Sequence, residues 1–364
     1  MLLLSVSIVV CVLYFSLILI LYFGWHNIPN FEPDGKVDNF TKLSVVVPCR
    51  NEEEYLRRLL SSLAQQSYQN FELILVDDHS TDRTQRIMRS VEDAFSDIKI
   101  IEATGFGKKN ALFEGIQMAS GNLIVTTDAD CVPSFLWLES IVNFQNESRS
   151  DLIIAPVRLR ATESIFFELQ YLEFTSLVAS GAAAAGAGKA ILCNGANLAF
   201  TKSAWIQSID DMKFDQPSGD DIFLLQSIKK RGGVIRFLKS EAAFVIAEPS
   251  KTIKDFFIQR RRWAAKSPSY TDFDLIFTAI IVLAISIYPF VMIAVSAFEP
   301  HFLWLFLMVM GFKLLVDMIF LYSVRSFFHL RKVWLFSILL SIIYPIYIVA
   351  VSFSAFFVKP KKWK

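Results

Sequence analysis

Residues 43–53 read LSVVVPCRNEE, 71–80 read FELILVDDHS and 122–131 read NLIVTTDADC. In each stretch a short apolar run, rich in β-branched residues, stops abruptly at polar and charged ones. Such runs, too short for helices and bounded by turn-forming residues, read as strands buried on both faces, at 43–48, 71–77 and 122–127. Helical spacing fills the gaps. Tyr55, Leu56, Leu59, Leu60 and Leu63 recur on one face of 51–65, and Glu52–Glu54 suit the positive end of that helix. A second helix is expected over Thr81–Phe95, capped by Ser80 or Thr81, and a third over 108–119, after a strand at 98–102. Strand and helix in alternation predict an α/β domain with a mostly parallel sheet covered on both faces.

That architecture says where to look for chemistry. Open parallel sheets bind ligands beyond the carboxyl ends of their strands. The residues there are Asn51 and Glu52 after the first strand, Asp77 and Asp78 after the second, and Asp128 and Asp130 after the fourth. Two acids one residue apart can converge on a hard divalent ion that shares itself with substrate phosphates. The competing reading of Asp128-Ala129-Asp130 is a solvated turn and cap, with the next helix beginning at Cys131-Val132-Pro133-Ser134. Several acids on one sheet edge repel one another unless a cation is present.

Two further clusters follow. Ser218-Gly219-Asp220-Asp221 precedes the amphipathic stretch Ile222–Ile228. One aspartate would cap that helix, or a carboxylate held near an acceptor hydroxyl would act as general base. Gln259-Arg260-Arg261-Arg262-Trp263 stands just before a hydrophobic region. These arginines read either as positive-inside anchors and lipid headgroup contacts, for which Arg260 and Arg261 are the better candidates, or, at Arg262 beside Trp263, as a bidentate hold on a diphosphate.

Hydrophobic residues make up 54% of the 364-residue chain, above the share of an ordinary soluble domain. The excess lies at the ends. Residues 2–23 carry no charge and are long enough to cross a bilayer, as are 275–298, 301–324 and 333–358. A cleaved signal peptide is the rival reading of 2–23, but the start MLLL is not basic and Tyr22, Phe23 and Trp25 follow. Lys313 and Asp317, four apart within the third span, are expected to pair on one helix face. The layout is therefore an anchor at 1–25, a domain of soluble composition at 26–273 that carries the candidate chemistry, and a membrane region at 274–364.

The basic loop RSFFHLRK at 325–332 belongs in the cytoplasm by the positive-inside rule, which places 26–273 there too. Lys359, Lys361, Lys362 and Lys364 disagree, because four full crossings leave that tail outside; Pro345 interrupts the last span. A net charge of +1 argues against a nucleic-acid partner. Cys11, Cys49, Cys131 and Cys193 are scattered and suggest neither a zinc site nor a disulfide framework. The small-residue run Gly181–Gly188 lacks the spacing of a phosphate loop.

Taken together, these motifs resemble the family 2 glycosyltransferases of the GT-A fold, in the membrane-bound branch that carries a QxxRW motif. Cellulose, chitin, hyaluronan and poly-N-acetylglucosamine synthases belong to that branch, and ceramide glucosyltransferases carry a related motif. The resemblance covers about 43–265. It implies that Pro48, Arg50, Asn51 and Glu52 line the nucleotide, that Asp77 and Asp78 contact base and ribose, and that Lys108, in GKKNAL, lies near the phosphates. Asp128 and Asp130 match the DxD motif, with Asp130 the metal ligand for Mg2+ or Mn2+, and Gln259, Arg262 and Trp263 match QxxRW. Asp221 matches the general base that ends the family's TED, although Gly219-Asp220-Asp221 departs from that motif. Cys193–Asn197 falls where the family lines its acceptor site, or is a plain turn before the strand Leu198–Thr201. The implied activity is metal-dependent, inverting transfer from a nucleotide-diphosphate sugar, most simply a UDP-sugar, to a polysaccharide or lipid. Alternatives are single-sugar transfer to a sphingolipid or polyprenyl carrier, and a non-catalytic membrane scaffold. Four spans are few for a self-sufficient export channel, which leaves an oligomer or export partner open.

Overall fold

The structure, a computed structural model, describes residues 1–35, 41–214, 216 and 218–357. The carboxy-terminal lysines that disagree with the predicted topology lie outside the described residues. In chain order the helices are α1 (Leu2–His26), α2 (Leu56–Ala64), α3 (Thr84–Arg89), α4 (Lys108–Gln117), α5 (Trp137–Ser148), α6 (Ile165–Gly186), α7 (Lys202–Ser208), α8 (Asp220–Lys230), α9 (Ile253–Ala264), α10 (Phe273–Ser296), α11 (Leu303–Val324) and α12 (Val333–Phe357). The strands are β1 (Leu43–Cys49), β2 (Phe71–Asp77), β3 (Ile98–Glu102), β4 (Leu123–Thr126), β5 (Val132–Pro133), β6 (Leu152–Ile154), β7 (Val157–Leu159), β8 (Leu198–Thr201), β9 (Ile235–Phe237) and β10 (Val245–Ala247). The chain divides into two compact units. A helical unit comprises Met1–Asn27, Ala161–Ile191 and the segment from Ser250 onward, and a sheet unit comprises Ile28–Arg160 and Leu192–Pro249.

The sheet unit is built on seven strands in the order β3-β2-β1-β4-β8-β6-β9, with a smaller sheet ordered β5-β10-β7. β1 pairs in parallel with β2 and β4, and β2 with β3. β8 runs antiparallel to both β4 and β6. Parallel neighbours need crossover connections, which α2, α3 and α4 supply. β1 and β2 are buried along their whole length. At roughly 1.5–3 kcal/mol for each large apolar side chain removed from water, these central strands carry much of the unit's stability. Their register sets Cys49 opposite Asp77, so the two polar segments that follow leave the sheet side by side.

α4 lies unusually close to this sheet. A Cβ added at Gly115 would sit 2.6 Å from Val46 Cγ1 and 2.8 Å from Val76 Cγ2, so only glycine permits the spacing. At the amino end of the sheet the buried Glu72 accepts from Ser44 Oγ at 2.5 Å, Lys99 Nζ at 2.7 Å and Ser120 Oγ at 2.8 Å. Burial alone would raise its carboxyl pKa, but the hydrogen bonds from Lys99, Ser44 and Ser120 outweigh it and hold the group down at about 2.

Two local expectations are corrected. α3 begins at Thr84 with Arg83 at its N-cap, so neither Ser80 nor Thr81 caps it. Their groups turn instead to Asn51, whose N–H donates to Ser80 Oγ and whose side-chain oxygen accepts from Thr81 N–H. No helix begins at 131–134 either. Val132–Pro133 forms β5 against β10, and α5 starts at Trp137, so Asp128-Ala129-Asp130 is not its cap.

In the helical unit, four helices are long and apolar enough to cross a membrane: Leu2–His26, Phe273–Ser296, Pro300–Val324 and Val333–Ser354. Tyr14, Ile281, Ile285, Tyr288, Met292, Val309 and Val316 form a shared apolar core between α1, α10 and α11. The expected Lys313–Asp317 pair forms, and Tyr14 Oη donates to Asp317 at 2.5 Å. Gly24 of α1 leaves no room for a Cβ against the Ala183 carbonyl of α6, which explains the small-residue run as helix packing.

Candidate active site

The predicted residues of the sheet unit gather where β1, β2 and β4 end. Pro48 is the penultimate residue of β1, opposite Val76. Arg50 Nη1 bonds Asp78 Oδ2 at 3.1 Å, and the other oxygen of Asp78 accepts from Gly107 N–H at 2.9 Å. Asp77 turns the other way: its Oδ2 accepts from Ser80 N–H at 3.1 Å and Gln85 Nε2 at 2.7 Å. Asn51 has φ +54°, a left-handed conformation that asparagine tolerates better than most residues. The buried Glu52 donates its N–H to Thr84 Oγ1 at 2.7 Å.

From Gly107 the chain of contacts continues through α4. Gly107 has φ +95°, a region that favours glycine, and delivers the chain into the first helical turn at Lys108. Lys108 Nζ donates to Asp128 Oδ1 at 2.5 Å. A Cβ placed on Gly195 would lie 3.4 Å from Asp220 Oδ2, 3.6 Å from Asp221 Cβ and 3.6 Å from Lys108 Nζ, so three charged side chains meet at this one glycine. Gly195 N–H donates to Asp221 Oδ2 at 3.3 Å, and its carbonyl accepts from Thr126 Oγ1 at 3.1 Å. The turn at 193–197 is thus tied both to β4 and to Asp221. Asp221 Oδ1 also accepts from Ile222 N–H at 2.7 Å, while Gly219, not either aspartate, is the N-cap of α8.

The electrostatics centre on Lys108. Burial depresses an ammonium pKa, but the carboxylates of Asp128, Asp220 and Asp221 outweigh it and hold Lys108 above its ordinary range. One protonated lysine therefore lies in the field of three acids. Beside it, burial pushes the Cys131 thiol well above its usual value, reinforced by Asp130 and Asp128. Cys131 Sγ lies 3.7 Å from Asp130 Oδ1.

Among the described residues, no three His, Cys, Asp or Glu side chains stand close enough to hold a metal by themselves. The donor set nevertheless fits a hard cation. Such an ion takes one or two carboxylates and completes its shell with phosphate oxygens and water, and Asp130 provides a carboxylate at the end of β4 where Asp128 already serves Lys108.

Sequence reasoning missed several residues here. His79 stacks on Phe106, with ring centroids 4.1 Å apart and planes at 22°. Arg50 Nε, Asp77 Oδ1, His79 Nε2 and Thr127 Oγ1 are buried polar atoms without a hydrogen-bond partner. All four lie at the end of β1, β2 or β4 or within two residues beyond it. Buried polar atoms are ordinarily paired, so this cluster marks a surface suited to a polar ligand. The only signal for His79 in the sequence is its place after Asp77-Asp78, at a left-handed position (φ +54°).

Gln259, Arg262 and Trp263 lie on α9, in the helical unit. Here the lipid reading of Arg260 is overturned: Arg260 is buried and bidentate on Glu173, with its guanidinium 4.2 Å from the Trp263 ring centre. A group so fully enclosed cannot face headgroups. Its Nη1 donates to Gln259 Oε1 at 2.5 Å, and Tyr347 Oη donates to Glu173 at 3.2 Å. Arg262 is half-buried.

Known proteins resemble this chain in part. Residues 44–204 match Glycosyl transferase family 2. The poly-beta-1,6-N-acetyl-D-glucosamine synthase of Staphylococcus aureus is 26% identical over 243 residues, which cover 65% of this chain and 57% of that protein. A probable glycosyltransferase of Bacillus subtilis, YdaM, is 26% identical over 249 residues with the same coverage. The chain thus spans little more than half the length of the curated relatives it matches. A mannosyltransferase from Pyrobaculum calidifontis, solved in complex with GDP-Man and Mn2+, superposes with a TM-score of 0.58 at 17% identity, over 98% of this chain and 99% of that one. The match to Glycosyl transferase family 2 covers the first part of the sheet unit, and the fold is GT-A-like.

Proposed function

We propose, from the premise that residues 44–204 are a family 2 glycosyl transferase domain, that this protein transfers a sugar from a nucleotide-diphosphate sugar to a growing glycan at a membrane. The observation that carries the reading is the convergence of Asp128, Asp220 and Asp221 on Lys108 at the carboxyl edge of the sheet. Arg50, Asp77 and Asp78 would bind the nucleoside, with Pro48, Asn51 and Glu52 shaping the loops around it. Lys108 would turn from Asp128 to the diphosphate when the donor enters, because phosphate oxygens offer it more negative charge than one carboxylate. Asp221, already held by Gly195 N–H, would accept the acceptor's hydroxyl proton as that oxygen attacks the anomeric carbon and inverts it. Mg2+ or Mn2+ bound through Asp130 would supply positive charge against the leaving diphosphate. Gln259, Arg262 and Trp263 are assigned to the same reaction, Arg262 as a bidentate diphosphate donor.

A glycan acceptor is favoured over a lipid because the Staphylococcus aureus relative bears the name of a polysaccharide synthase. A UDP-sugar is the favoured donor. The four apolar helices support a multi-pass cell-membrane protein, and the basic loop at 325–332 supports a cytoplasmic sheet unit. The test is direct. Membranes containing the protein are incubated with labelled UDP- and GDP-sugars, and the labelled product is sized. A polymer formed from a UDP-sugar is expected, and Asp221→Asn should abolish it while sparing nucleotide binding. Wild-type turnover in that variant would remove Asp221 from its role, and a lipid carrying one sugar would replace the polymer reading.

A further inference from the structure

Lys108 has a neighbour that the mechanism leaves idle. Lys109 is 3% exposed, among the most enclosed ammonium groups in the protein. Its Nζ donates to two backbone carbonyls, Met212 at 3.0 Å and Lys213 at 2.8 Å, and lies 4.9 Å from the ring centre of Phe223. Those carbonyls belong to the segment that leads into Gly219, Asp220 and Asp221, and Phe223 is on α8, one turn beyond it. The same segment is gripped a turn further along α4, where Phe113 packs edge-on against Phe214 with centroids 5.2 Å apart. Lys213 has φ +48°, a conformation that a lysine adopts only when its surroundings hold it there.

We infer that Lys109 is a positioning residue for Asp221, fastening Met212, Lys213 and α8 to the helix that presents Lys108. The argument rests on the reading of Asp221 as general base and adds to it. Asp221 is reached through a segment containing a glycine at φ +96°, so something other than its own backbone must set where its carboxylate stands. A buried ammonium bonded to consecutive carbonyls does that. Each carbonyl has a fixed direction, and the cation cannot release them to water without leaving its enclosure. Adjacent lysines on one helical turn thereby divide the labour: Lys108 lies among Asp128, Asp220 and Asp221, and Lys109 holds the backbone of Met212 and Lys213.

The experiment uses the full chain purified in detergent, with kcat, donor KM, UDP affinity and thermal unfolding measured together. Lys109→Met keeps the length and apolar stem of the side chain and removes the donors. It should lower kcat about tenfold or more, since small misplacements of reacting groups are costly. Donor KM and UDP affinity should stay near wild type. Lys109→Arg, which restores charge and donors, should recover part of kcat. Wild-type kcat in folded Lys109→Met, or a parallel loss of kcat and UDP affinity, overturns the inference. If Lys109→Met does not fold, Phe113→Leu decides: it loosens the same segment without touching a charge. A fall in its kcat at unchanged donor KM upholds the inference, and wild-type kcat overturns it. Asp221→Asn is the parallel control, because turnover in that variant refutes the base itself rather than its positioning.

Discussion

Lys108–Asp128 in the sheet unit and Arg260–Glu173 in the helical unit are both cations held against carboxylates, but they are built for different ends. Arg260 is bidentate on Glu173, stacked between the Phe256 and Trp263 rings and bonded to Gln259, while Tyr347 takes part of the remaining capacity of Glu173. Side-chain exposure there is 2% and 3%. Lys108 makes one close contact to Asp128, whose side chain is 33% exposed, and shares its field with two more acids. A complete, dry pair fixes geometry. A single contact to a half-open carboxylate, with surplus negative charge around it, can be exchanged for a ligand. The contrast teaches that a charged pair's role follows from how many of its donors are spoken for, not from its distance.

The largest effect tests the dry pair. Glu173→Gln leaves Arg260 buried without its counter-ion and should cost about 3–5 kcal/mol, read as a fall in the unfolding temperature in detergent. Lys108→Met should behave oppositely. Transfer should fall by about 10²–10³-fold, as for loss of one preorganised charge, with little change in unfolding temperature. Stability near wild type in Glu173→Gln, or unfolding of Lys108→Met, would erase the distinction.

A third case sharpens it by pH. Glu72 sits at about 2 in the folded protein, below its unfolded value of 4.5. Its stabilisation is therefore complete above about pH 4.5 and is lost as pH falls through that window toward 2. The linked contribution is up to about 3 kcal/mol, and Glu72→Gln should flatten that part of the stability–pH curve. The smallest effect belongs to the surface. Lys42 and Asp97 pair at 2.8 Å but are 41% and 38% exposed, so Asp97→Asn should change stability by under about 1 kcal/mol and fade further in salt.

How much of this was legible in the sequence depended on locality. β1, β2, β3 and α4 were readable because continuous apolar runs and helical spacing are properties of adjacent residues. So were Asp77, Asp78, Asp128 and Asp130, because a strand's end is marked where its apolar run stops. β8, inserted antiparallel between β4 and β6, was foreseen as a strand but not in its place, since its neighbours come from distant sequence. The two-residue β5 carries no periodicity at all. Arg260 was misread because its neighbours in the chain suggest a basic surface, whereas Glu173, far away in sequence, decides its burial. His79 and Lys109 were invisible for the same reason: each owes its role to contacts that only folding creates.

Gly115 has a consequence for anyone hoping to retune this protein. With Val46 and Val76 only 2.6 and 2.8 Å from where a methyl would begin, α4 rests on the strands through a gap one hydrogen atom wide. That gap acts as a machinist's shim. It sets the height of α4 above the sheet at Gly115, and an alanine there would push the helix away from Val46 and Val76. Under the proposed function, Gly115→Ala would then alter transfer without changing any residue assigned to the donor.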